Sequence, residues 1–350
     1  MLTRGVLGLF RGSLLGTAVI ALAFSPFLAA SGGQGAALHL PRVGASIHVG
    51  ANPNGVAVGY GFVWVTTFGP VGLSQNQSGI VKVDPTTDLV VDSFTVRDAS
   101  DIALGAGSVW VISDNRRNGV IRRIDPTSDR VVATIPVGRW PSNIEFGLDS
   151  VWVTLNLPRV QPTGDVIRID PATNQVVARI RVDGGWPRDI AIGEGAVWVY
   201  GHSRHSGNVW SASSLWEVDP QTDQLVGTVL DRKGLLSDGI YFPDGVSVGD
   251  GYVWVANASG DGLRINPVTH AKKRFSVRGG FTAPFAVYAG SVWHLGSHGL
   301  GRLDTTTLQE RSFGYRSLSI IAAALDEASG TLWVASYAHT ITRIELTTGA

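Results

Sequence analysis

The chain has 350 residues, with 28 basic against 28 acidic side chains and no cysteine. Balanced charge gives neither the basic footprint of a nucleic-acid binder nor a polybasic membrane patch. The lack of cysteine excludes a disulfide scaffold and a lipidated cysteine anchor.

In chain order, the first segment reads as a targeting signal. Arg4 and Arg11 precede an apolar run, Leu14–Leu28, and the small residues Ala29-Ala30-Ser31-Gly32 follow. Charge, then apolar core, then small residues is the order of a secretory signal peptide. The run is shorter than the about 20 residues of a membrane span; an uncleaved anchor is the alternative, and both readings export the chain. Residues 1–30 are expected to be the signal, 31–43 a Gly/Ala-rich linker and 44–350 the folded domain.

From there the chain repeats itself. A Val-Trp-Val phrase places Trp at 64, 110, 152, 198 and 254, with degenerate copies at Val292-Trp293-His294 and Leu332-Trp333-Val334. Asp-Pro follows at Asp84, Asp125, Asp170 and Asp219, then decays to Asn266-Pro267, Asp304-Thr305 and Glu345-Leu346. Each unit holds four short β-branched runs, which in the third are Ile144–Gly147, Ser150–Thr154, Val166–Asp170 and Gln175–Val182. Alternation with turn signals between runs predicts strands. Asp-Pro predicts a tight hairpin, with Pro presetting φ and Asp accepting a bond from the backbone just beyond it. Four antiparallel strands in each of seven units predict an all-β, seven-bladed propeller, each Trp lying between neighbouring blades. The last unit stops after its third strand. Ala45–Gly50 matches the fourth-strand phrase Ala133–Gly138, so an N-terminal strand is expected to complete the last blade and close the ring.

These phrases (Val-Trp-Val, Ile-Asp-Pro, Val-Val-Ala-Thr-Ile-Pro-Val-Gly) resemble the YVTN-type repeat propellers over residues 44–350. The pattern is also similar to the wider group containing the streptogramin (virginiamycin B) lyases. That resemblance implies a seven-bladed ring and, for the lyases, an acid soon after the Trp and a His and a Glu using Mg²⁺ near the axis. The residues after each phrase here include no acid, from Thr66-Thr67 to Ala335-Ser336, so the lyase site has no residue-by-residue match.

Variation concentrates in the loops joining strands two and three and in the connections into each blade, which share one face. Elaborated loops on a rigid scaffold mark a functional face. There His202 and His205 offer two imidazoles three apart, with His298 on the same face as a third candidate zinc ligand. Asp101, Asn143 and Asp189 each lie nine residues before a Trp. With Gly55 and Gly245 at the equivalent places, they suit a turn position of positive φ or, alternatively, a Ca²⁺ or Mg²⁺ site. Glu145 stands where Ala57, Ala103, Ala191, Ser247 and Ala286 stand in other copies, either solvated in the channel or an acid with a raised pKa. Twelve residues before each Trp the ring reads Asn52, Asp98, Trp140, Trp186, Phe242 and Phe281, with Ser319 in the last blade. Pro after Trp140, Trp186 and Phe242 is expected to hold those residues extended, so that an aromatic crescent faces the channel mouth, flanked by Arg139, Arg188, Asp189, Tyr241 and Asp244. The alternative is that each ring caps the seam to its neighbour.

The sequence reads as an exported, monomeric binding or scaffold module. It would take a small molecule, glycan, peptide or protein on the loop-rich face, with no nucleic acid, membrane contact only through the N-terminal segment and no required cofactor. A metal-dependent lyase using Glu145, a loop His and a divalent cation, and a membrane-anchored sensor ectodomain, are the other expectations.

Overall fold

Every Val-Trp-Val copy lies on the second strand of a four-stranded antiparallel sheet. The structure is a computed structural model. It describes residues 40–50, 52–68, 78–113, 118–156, 163–183, 185–205, 209–231, 243–280, 282–315 and 320–346, with the side chains at 163, 183, 203–205, 209–213, 243–244 and 282–284 left aside. Seven such sheets form a β-propeller, with no helix among the described residues. The third blade shows the order from axis to rim: β10 (Pro141–Gly147), β11 (Ser150–Asn156), β12 (Thr163–Asp170) and β13 (Gln175–Asp183).

The seventh blade is built from both ends of the domain. β26 (Ile320–Asp326), β27 (Thr331–Ser336) and β28 (Thr340–Glu345) are completed by β1 (Arg42–His48). Ile47 pairs with Ile341 and Val43 with Ile344. β1 therefore begins before the expected boundary at 44. Pairing at the edge of β28 covers a row of backbone groups that an open ring would leave exposed.

The repeated phrase is explained by the seams. Trp64 packs with Val109 and Val111 of the next blade, Trp152 with Val197 and Val199, and Trp333 with Val63 and Val65, which closes the circle. The Gly five residues before the Trp has two tasks. Its carbonyl accepts the indole N–H, at 3.0 Å for Gly59 and Trp64 and 3.2 Å for Gly147 and Trp152. It also leaves room for the next blade: a Cβ on Gly105 would lie 2.0 Å from the Phe146 ring, and one on Gly147 would lie 2.7 Å from Ile192. In the degenerate sixth copy that place holds Tyr288, and no partner is seen for the Trp293 indole N–H.

The Asp-Pro turns behave as expected. Asp84 Oδ1 accepts from Thr86 N at 2.7 Å, and Asp170 Oδ1 from Ala172 N at 2.8 Å. These bonds hold both carboxyls below their ordinary range. The turns also join blades. Lys82 Nζ sits 3.0 Å from Asp129 of the next turn, Arg123 Nη1 donates to Asn174 Oδ1 at 2.9 Å, and Arg168 Nη1 donates to Asp223 Oδ1 at 3.1 Å. Arg343 of blade seven reaches Asp88 of blade one at 3.2 Å. Between blades four and five the acid lies on the strand instead, with Glu217 Oε2 2.9 Å from His270 Nε2 of the next turn.

Candidate functional site at the loop-face mouth

The innermost strands line an axial cavity of about 390 Å³, whose wall runs from Glu145 to Leu104, Phe146, Ile192 and Glu327 toward the Asp-Pro end; Ser142, Arg188 and His202 stand at the other end, outside that lining. The register places Glu145 opposite Trp152 as Ala57, Ala103, Ala191, Ser247, Ala286 and Ala324 lie opposite their own Trp residues. Glu145 thus puts a carboxylate into a ring of small neutral residues. Burial among the wall atoms pushes it up to about 8, with the Asp101 and Asp189 charges adding to the rise. Its outer surface remains open to channel water, which works against that rise.

Asp101 and Asp189 do not occupy positive-φ turns, and neither do Asn143, Gly55 or Gly245. That expectation is corrected: most left-handed Asp and Asn residues lie at the far end of the blades, at Asp88, Asp129, Asn174 and Asp223 of the Asp-Pro turns and at Asp149 and Asp250, with Asp98 at the mouth. Asp101 and Asp189 instead clip blades together. Asp101 Oδ1 accepts from Ile102 N at 2.9 Å, and its Oδ2 accepts from Ile144 N of the next blade at 3.1 Å. Asp189 repeats this with Ile190 N at 3.0 Å and Val246 N at 2.9 Å. Burial raises Asp101 to about 7 and Asp189 to about 6, against the pull of those N–H bonds. All four oxygens already accept backbone bonds. Among the described residues no three His, Asp or Glu side chains gather as a cation site.

The aromatic positions diverge. Trp186 is 4% exposed. Trp140 is half-buried and sits at φ 54°, not in the extended conformation expected before Pro141. Its carbonyl accepts from Asn156 N at 2.9 Å, which fixes the chain in that left-handed bend. Asp98 shares the bend at φ 57°. Tyr241, Phe242, Phe281 and Ser319 lie outside the described residues, as does the side chain of Asp244.

The strand two–three connection of blade four, expected as a loop over Gly201–Ser214, is a β-hairpin. β15 (Ala196–His205) pairs with β16 (Val209–Asp219) as far out as His205 and Val209. His202 and His205 are both positions of β15, and the side chain of His205 lies outside the described residues. His298 is exposed in the turn between Gly296 and Gly299.

The sequence reading named Arg188 and Asp244 singly but did not align the position they share, ten before the Trp in blades one to five. Each innermost strand carries a β-bulge near its loop-face end, between Pro53 and Gly55, Pro141 and Asn143, or Pro187 and Asp189, for example. A bulge re-aims the unpaired residue. The bulged residues are Asn54, Ser100, Ser142, Arg188 and Asp244 in five consecutive blades, all polar. Ser142 Oγ lies 2.9 Å from Thr154 Oγ1 and 3.4 Å from the Pro187 carbonyl of the next blade. Arg188 is exposed although residues 185–187 before it are buried. Its Nη1 lies 3.0 Å from His202 Nε2, and His202 Nδ1 lies 3.4 Å from the Tyr200 hydroxyl. A guanidinium only donates, so Nε2 accepts and the ring proton is on Nδ1. Burial, with Arg188 adding, lowers His202 to about 4 and keeps it neutral. This arrangement can hold a polar ligand at the mouth, where the His202 imidazole is already engaged by Arg188 and Tyr200.

No protein-family profile matches this chain, and no curated protein does. Solved structures share its fold. A structure described as Kuenenia stuttgartiensis hydrazine synthase is 13% identical, with 86% of this chain and 97% of that one covered and a TM-score of 0.63. The extracellular domain of a putative one-component system from B. thetaiotaomicron is 15% identical, with coverage of 87% and 42% and a TM-score of 0.62. A second structure, described as the extracellular domain of a putative hybrid two-component system from the same organism, gives 15%, 86%, 42% and 0.60. This chain spans less than half the length of those two ectodomains. At such identities the likeness defines the class alone, a seven-bladed β-propeller.

Proposed function

We propose that the chain is an exported propeller of YVTN-repeat type that binds a small molecule, glycan or peptide at the loop-face mouth. The observation carrying this reading is the bulge ring. Seven blades are held rigid by repeated seams, yet the bulges of blades one to five present in turn an asparagine, two serines, an arginine and an aspartate, where blade seven has Ile321. Side chains freed from packing at one end of a rigid channel are what a binding face needs. A lyase reading would need an acid and an imidazole acting on one substrate. Glu145 lies in the channel wall and His202 is engaged by Arg188 and Tyr200, so binding is the reading taken. Crystals of residues 31–350 soaked in concentrated growth medium test it. Density over the mouth beside Ser142 and Arg188 is expected; density confined to the Asp-Pro face would count against it.

A second reading, a sensor ectodomain held by an uncleaved Leu14–Leu28 segment, is favoured by the likeness to extracellular parts of signalling systems. N-terminal sequencing separates the two. A new terminus between Ser31 and Ala37 supports the secreted form, and an intact terminus in the membrane fraction supports the anchored one.

A further inference from the structure

Resting on that reading of the mouth as the binding face, we infer that Arg188 anchors an oxyanion of the ligand, a carboxylate or a phosphate, presented by the His202 imidazole behind it. Three features of blade four carry this. The bulge between Pro187 and Asp189 turns Arg188 out to solvent at the end of the channel wall. Its neighbour Asp189 has both oxygens committed to backbone N–H groups at 3.0 and 2.9 Å, and among the described residues Arg188 forms no ion pair with a carboxylate. The group that does hold it is a neutral acceptor, His202 Nε2 at 3.0 Å, steadied in turn by Tyr200. A carboxylate in that place would pair with the guanidinium; a neutral imidazole orients it without forming an ion pair, although the nearby Asp189 charge is felt. Among the described residues one nitrogen is used, and the remaining donors form the planar fork that matches carboxylate and phosphate.

The surroundings agree with an oxyanion. Ser142 of the preceding blade, exposed beside Pro187, supplies a hydroxyl. The nearest acids, Asp101 and Asp189, are turned to backbone N–H groups by both oxygens and so do not compete for the guanidinium as ion-pair partners. Tyr200 occupies the place held by Thr66 and Thr154 in blades one and three. Among the described residues only blade four therefore combines a bulged cation with a hydroxyl that reaches a histidine.

The test uses the mature chain and three probes: D-galacturonate, its uncharged counterpart D-galactose, and inorganic phosphate. The His202 ring nitrogens are followed by NMR across a pH titration. An oxyanion on Arg188 offsets the charge facing the imidazole, so galacturonate, phosphate or both should raise the His202 pKa, and galactose should not. Which anion acts names the source of the oxyanion. Arg188→Gln, at a solvent-exposed position, should abolish the response and weaken anion binding by about tenfold to a hundredfold. Arg188→Lys, which keeps charge but loses the fork, should fall between. If neither anion moves His202, or Arg188→Gln binds them like the parent chain, the anchor is wrong. If galactose perturbs mouth residues such as Ser142 while anions do no better, the binding face stands and the oxyanion anchor alone falls.

Discussion

Asp189→Asn should change stability in a way that reverses with pH. The carboxylate accepts Ile190 N within its own blade and Val246 N across the seam. Asn can present only one acceptor, so one buried N–H faces an NH₂ group, at a cost of about 1–3 kcal/mol. The carboxylate has its own cost. Its folded pKa of about 6 stands above the ordinary 3.8, because burial disfavours the charge. A raised folded value means that its stability contribution is complete below the unfolded pKa and is lost as pH rises through about 6. Between about pH 4.5 and about pH 7.5 that loss comes to about 2 kcal/mol. Asn has no such loss. The variant should therefore be clearly less stable than the parent at the acid end and near parity, or above it, at the neutral end. Urea unfolding followed by Trp fluorescence at the two pH values measures the difference. Equal destabilisation at both would refute the buried clip, as would a variant that gains stability in acid.

Deleting residues 42–48 removes the strand that pairs with β28, and the truncated chain should aggregate or lose its single cooperative melt; a melt matching the intact chain would overturn the closure. His294 replaces the Val that ends the repeat phrase, is 2% exposed, and is lowered by burial to about 4 from 6.5. A lowered histidine is neutral in the fold, so its contribution is lost as pH falls from about 6.5 through about 4, by about 3 kcal/mol in all. His294→Val should remove that share of acid sensitivity in melts across this range, at some cost for the space Gly301 leaves to the ring. Trp186→Ala should lower stability by about 3–5 kcal/mol, and Trp140→Ala by less, since its ring is only half-buried; calorimetry that ranks them the other way would return Trp186 to the ligand face.

The fold was legible because the seam contacts recur as words. Val-Trp-Val and Asp-Pro each make one contact seven times or nearly so, and a contact made that often leaves a phrase. Ring closure was legible for the same reason, since Ala45–Gly50 repeats a fourth strand. The mouth was not. A β-bulge here has no residue of its own, and moving one place along a strand exchanges one face for the other. The positions nine and twelve before each Trp therefore stood out as series, while the bulge at ten was named only at Arg188 and Asp244. Asp and Asn do favour left-handed backbone, but the blade offers two places for them, and the clip across the seam claimed Asp101 and Asp189. Trp140 shows the limit of the rule for residues before proline, since the Asn156 bond to its carbonyl outweighs it.

The central claim, that the loop-face mouth is the binding face, is tested most directly by amide chemical-shift mapping of the ¹⁵N-labelled mature chain against sugars, sugar acids and short peptides. Two blocking variants serve as a paired control. Ser142→Tyr fills the mouth, and Thr127→Tyr adds the same bulk to an exposed Asp-Pro turn on the opposite face. The account predicts that a ligand shifts amides at Asn54, Ser100, Ser142 and Arg188, that Ser142→Tyr abolishes these shifts, and that Thr127→Tyr leaves them intact. Shifts gathered at Asp84–Asp88 and Asp125–Asp129, lost in Thr127→Tyr and kept in Ser142→Tyr, would contradict it.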